Sequence, residues 1–171
     1  MTRRDLITKW ALYALALIPV HLLEFVLFSR WPIFGISPLL LPVSAICVAV
    51  LEGPRGGAGY GLFVALIWSV SNPGDTGGVF VLLTFLCFLI GIAAETYLSR
   101  TFLGTLLCTL AGLVVWEGAR VGVRLFSRTA GLPALLKVAV PELFLSLAFL
   151  LVLYPLFRAV YRKVGGTRLA D

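Results

Sequence analysis

The stretch Leu51 to Val70, LEGPRGGAGYGLFVALIWSV, decides how this chain folds. Read at helical spacing, Gly57, Gly61, Ala65 and Ser69 fall four residues apart and line one face as a ridge of small side chains. In a bilayer, apolar helices gain little hydrophobic free energy by meeting each other, so a Gly, Ala and Ser seam that lets backbones approach is a common basis of association. The ridge predicts a face for helix packing or partner docking. Gly53 precedes it at the same spacing, inside Glu52-Gly53-Pro54-Arg55-Gly56, a helix stop and tight turn with Pro54 placed to start the next helix. A helical hairpin follows from that order.

The 171 residues are 60% hydrophobic and only 13% charged, with a mean hydropathy of +1.04. A water-soluble domain of this length needs far more polar surface, so the composition places the chain in a membrane. The first apolar run, Trp10 to Phe28, is long enough to span and has no small-x-small cleavage site after it, so it is expected to stay as a helix. Cys47, Cys87 and Cys108 all sit inside apolar runs and read as small buried hydrophobes, without a disulfide framework or a zinc site. The net charge of +6 comes from Lys and Arg near segment ends, where they serve orientation and headgroup contacts. No nucleic-acid partner is expected from it.

Six spans are predicted, at about 10–28, 36–51, 56–71, 79–98, 101–126 and 134–157, as an all-α bundle in one integral membrane domain. The second is brief and carries Pro38 and Pro42, so it is expected to bend or to begin within the interface, its backbone groups covered by neighbouring helices. Pro19 sits where it would kink the first span. Six spans put both termini on one side, with nine Lys and Arg there and five on the other, which predicts cytoplasmic termini.

Few ionisable residues lie within the apolar runs. His21 and Glu24 fall in the half of the first span far from the cytoplasm, Glu117, Arg120 and Arg124 in the far half of the fifth, and Lys137 and Glu142 near the outer start of the sixth. Glu117 shares a helix face with Arg120 and Arg124. Charges at such depth cost about 2.5 to 3.5 kcal/mol each unless paired or wetted, so an outer polar cluster is predicted from His21, Glu24, Glu117, Arg120, Arg124 and Glu142. Two readings stand side by side: the basic residues snorkel to headgroups with Glu117 as a local partner, or the cluster lines a cavity or docking surface open to the outside. At the cytoplasmic turn, Glu52 and Arg55 are placed to pair across it or to be solvated, and Glu95 reads as interfacial. No HExxH, GxSxG, GxxxxGK[ST] or pair of aspartates within a span is present, which argues against catalysis and calls for no cofactor or metal.

The Pro38-Leu39-Leu40-Leu41-Pro42 opening of the second span, the Glu52-Gly53-Pro54-Arg55-Gly56-Gly57 turn leading to Gly61-Leu62, and six short-linked spans in this length together resemble the MreD family of rod shape-determining membrane proteins. That resemblance implies a non-enzymatic component of the bacterial cell-elongation machinery in the cytoplasmic membrane. It implies an MreC-like bitopic partner, and through it a link between MreB filaments and the peptidoglycan synthases, a RodA-type glycosyltransferase and a class B transpeptidase. It also implies a fold similar to the substrate-binding subunits of energy-coupling-factor transporters. Such a subunit, holding a vitamin or metal in the outer cavity, is the alternative function.

Overall fold

A computed structural model describes residues 3–28, 30, 36–71, 78–96, 101–127 and 131–164, and those residues are helical almost throughout. The helices in order are α1 (Arg3–Leu22), which widens into a π-helical turn over Leu23–Phe28, then α2 (Leu40–Ser71), α3 (Gly78–Thr96), α4 (Phe102–Phe126) and α5 (Leu132–Val164). The connectors expected near 31–35, 72–77, 97–100 and 128–130, and the tail beyond Val164, lie outside the described residues.

Among the described residues, three helical stretches are long and apolar enough to cross a membrane, Ile7–Val26, Phe102–Phe126 and Leu132–Lys163, and Val81–Thr96 is a shorter apolar helix. Large apolar side chains on all of them face outward, with Val81, Phe144 and Val123 each about two-thirds exposed or more. A surface of that kind aggregates in water and is solvated in lipid. The chain is a membrane protein.

α2 is not one rod. Gly53 has φ +79° and ψ −173°, a backbone conformation open to glycine and strained for other residues, and Pro54 follows it at the start of a new helix. The chain reverses there. A Cβ built on Gly57 would lie 2.7 Å from both Cα and Cβ of Ala49, a contact that an unbroken helix, with those residues about 12 Å apart along its axis, excludes. α2 is therefore a hairpin of segments 40–52 and 54–71.

Segment 40–52 is the centre of the molecule. Every residue from Pro38 to Leu51 is buried, as a helix that is apolar on all sides demands. At 13 residues it is about 20 Å long, and it starts later than the 36–51 run of apolar residues suggests, because Ser37 to Leu39 lie outside the helix. α3 lies against the bend and the second half of the hairpin: a Cβ on Gly91 would fall 2.5 Å from Pro54 Cα, and one on Gly61 would fall 3.0 Å from Cys87 Cβ. Gly112 of α4 sits against Ile46 of segment 40–52 and Ile90 of α3, where an added Cβ would meet their Cδ1 atoms at 2.7 and 2.8 Å. Glycine at these places sets the helix spacing.

Aromatic rings fill the space between α1, segment 54–71 and α5. Tyr13 stacks on Phe157 with centroids 6.4 Å apart and meets Tyr60 edge-on at 5.9 Å. α5 continues past the expected end near Phe157 to Val164, with Arg158 stacked over the Tyr154 ring at 5.6 Å. The apolar run ends at Phe157; the helix does not, because Arg and Lys are good helix formers that carry it into the interface.

Candidate functional site

The buried start of segment 40–52 creates a problem that the surrounding helices resolve. A helix begins with backbone N–H groups that have no partner within it, and in an apolar interior each costs about 1 to 3 kcal/mol if left unmade. Here the partners come from other helices. Glu24, on the π-helical turn, accepts the Leu41 N–H through Oε2 at 2.7 Å, and Ser146 Oγ of α5 accepts the Leu39 N–H at 2.8 Å. Ser146 in turn donates to the Glu142 carbonyl at 2.6 Å. A carboxylate at a helix N-terminus also meets the positive end of its dipole.

The π-helical turn sits one turn beyond Pro19, which has no N–H to continue the regular ladder. The widened turn carries Glu24, the residue that reaches segment 40–52.

Arg120 joins α4 to this group. Its Nη1 donates to Glu117 Oε1 at 2.8 Å and, more weakly, to Glu142 Oε1 at 3.5 Å. Glu117 and Glu142 are buried, at 6% and 9% exposure, so the guanidinium supplies the opposite charge that a carboxylate at that depth requires. Between these side chains lies a cavity of about 290 Å³ lined by His21, Glu24, Trp68, Ser71, Arg120 and Glu142, together with Phe25 and the Ser37–Leu39 strand of chain. Trp68 closes one wall, its ring perpendicular to that of Trp116 at 5.8 Å.

Of the six residues assigned to an outer cluster, His21, Glu24, Arg120 and Glu142 line this one cavity and Glu117 joins through Arg120. Arg124 is exposed, one turn further along α4. Lys137, from the same expected leaflet, is exposed on α5. Ser146, Ser37 and Trp68 also belong here and were not among the residues expected; a serine or tryptophan inside an apolar run carries no sequence mark of what it will face.

No family model matches the chain, and neither a curated protein nor a solved structure matches it.

The opposite end of the bundle holds the second polar group. Glu52 turns to α1 and not across the turn to Arg55: it accepts hydrogen bonds from Lys9 Nζ and, at 2.8 Å, from Tyr13 Oη. Arg55 is exposed. Lys9 and Glu52 are both largely buried, at 11% and 7% side-chain exposure, so the pair ties α1 to the hairpin bend. Glu95 lies over Gly53, where an added Cβ would fall 2.5 Å from its Oε1.

The small-residue ridge is spent inside the molecule. Gly53, Gly57, Gly61 and Ala65 are buried and Ser69 is half-buried, and the Gly57 and Gly61 backbone runs against Leu83 and Cys87 of α3. Among the described residues, glycines that face open space are elsewhere, at Gly59, Gly78, Gly118 and Gly122. Among the described residues no group of three His, Cys, Asp or Glu side chains is placed to hold a metal ion.

Proposed function

We propose that this chain is a non-enzymatic scaffold of the MreD type in the bacterial cytoplasmic membrane. It crosses six times, the two halves of α2 counting separately, with both termini cytoplasmic. The observation that carries the reading is the hairpin of α2: its first arm, buried from Pro38 to Leu51, is the post around which the other helices pack, and the MreD-like motifs run along it and through the Gly53-Pro54 break to Gly61. A chain whose distinctive residues go into making one stiff body, with polar groups gathered at its two ends, suits holding other proteins in register. Its partner in this reading is an MreC-like bitopic protein, and through it MreB filaments, a RodA-type glycosyltransferase and a class B transpeptidase. Because Gly57 and Gly61 are taken up by α3, the docking span of the partner belongs against an outward face, and the outer cavity marks the end nearest its extracytoplasmic base.

Co-expression with the MreC-type protein of the same genome tests this. A tagged copy of this chain is expected to bring the partner down in a stable detergent complex, and its depletion to make rod-shaped cells round. Failure of both overturns the reading.

The cavity favours a second reading, a substrate-binding subunit of an energy-coupling-factor transporter, because about 290 Å³ lies near the lower limit of small-molecule pockets. A vitamin or metal that raises the melting temperature of the purified chain, in the absence of any MreC-type complex, would put this reading first.

A further inference from the structure

We infer that the cavity at the Glu24 end of the bundle is a binding site for a small organic cation bearing an ammonium or guanidinium group. Two carboxylates, Glu24 and Glu142, face it, with the aromatic rings of Trp68 and Phe25 and the imidazole of His21. Arg120 is the one cation on its wall among the described residues, and it is turned toward Glu117, which is not part of the lining: 2.8 Å to Glu117 against 3.5 Å to Glu142. Its charge is shared among Glu117, Glu142 and Glu24. Arg124, the next cation on α4, is exposed. It still acts on Glu142, and the three carboxyl groups of the cluster, Glu24, Glu117 and Glu142, outnumber its two arginines by one.

Acceptor capacity remains there as well. A carboxylate offers about four lone-pair sites, so the Leu41 and Leu40 N–H groups on Glu24 and the long Arg120 contact on Glu142 leave others open. His21 Nδ1 is buried and makes no hydrogen bond among the described residues. An unmatched ring nitrogen beside two carboxyl groups and two aromatic side chains is the surrounding that an organic cation recognises, through charged hydrogen bonds and cation–π contact. Among the described residues no three His, Cys, Asp or Glu side chains are placed to hold a metal ion there. An extended cation, able to reach several walls at once, suits it. The inference is independent of the scaffold reading, since a chain that fails to hold an MreC-type partner would still bind the cation.

The full-length chain, purified in detergent, is titrated with N-acetyl-arginine amide and with N-acetyl-citrulline amide, which has the same shape and a neutral urea in place of the guanidinium. Thermal shift and tryptophan fluorescence are read together. The arginine amide is expected to bind saturably and the citrulline amide not to bind. Glu142→Gln is expected to weaken binding by about tenfold or more, and Lys137→Gln to leave it unchanged. Should Glu142→Gln fail to fold, the comparison of the two amides on the wild-type chain decides alone. Equal binding of both amides, no binding of either, or full binding by a folded Glu142→Gln protein overturns the inference.

Discussion

Glu24 Oε2 and the Leu41 backbone nitrogen are 2.7 Å apart, so the first turn of the central helix is capped by a side chain from a different helix. The bond makes α1 and α2 a single unit at that end. Removing it leaves a buried N–H without a partner. Glu24→Ala is expected to lower stability by about 1 to 3 kcal/mol, read as a drop in the melting temperature of the detergent-solubilised protein. Glu24→Gln keeps an acceptor oxygen and is expected to lose less. An Ala variant that melts with the wild type would remove Glu24 from the capping role.

Gly91 and Gly59 make a matched pair of tests. An Ala Cβ at position 91 meets the Pro54 backbone at 2.5 Å, which cannot swing aside as a flexible side chain can, whereas at position 59 nothing lies within 4 Å. Gly91→Ala is expected to destabilise by about 1 to 3 kcal/mol by forcing α3 off the hairpin bend. Gly59→Ala is expected to be neutral or to stabilise by up to about 1 kcal/mol, because alanine is the better helix former. The reverse order in a thermal-stability assay would contradict the helix spacing described above.

Substitution at Gly53 probes the reversal itself. With φ at +79° and Glu95 over the Cα, Gly53→Ala combines backbone strain of about 1 to 3 kcal/mol with a displaced Glu95 side chain. Truncating Glu95 to Ala in the same chain relieves only the second part, so the double variant is expected to recover some stability and remain below wild type.

Arg120 separates pairing from mere charge. With both carboxylates buried, Arg120→Leu leaves Glu117 and Glu142 uncompensated and is expected to cost about 3 to 5 kcal/mol. Adding Glu117→Leu to it removes one of the stranded charges and is expected to restore part of the loss. In a double-mutant cycle, a Glu117→Leu effect that is the same with and without Arg120 would show that the two do not act on each other.

What could be read in advance follows from where each cause lies along the chain. The reversal at Gly53 is local, a glycine followed by proline between two apolar runs, and it is plain in the sequence. The internal use of Gly57 and Gly61 is not, because the same ridge serves equally well against a neighbour in another protein and only the position of α3 decides. Glu24 stands out as a charge inside an apolar run, but its role depends on Leu41, across a connector, and the Ser146 bond to Leu39 spans more than a hundred residues. Glu52 and Arg55 are close in sequence and yet separate, since Lys9 and Tyr13 offer Glu52 a buried site on α1 that a three-residue neighbour at an exposed position does not.

Enclosure of residues 38 to 51 by protein makes that helix indifferent to bilayer thickness. Longer or shorter acyl chains press on α1, α4 and α5, which must tilt or expose their ends to match. The axis they tilt around keeps its own length.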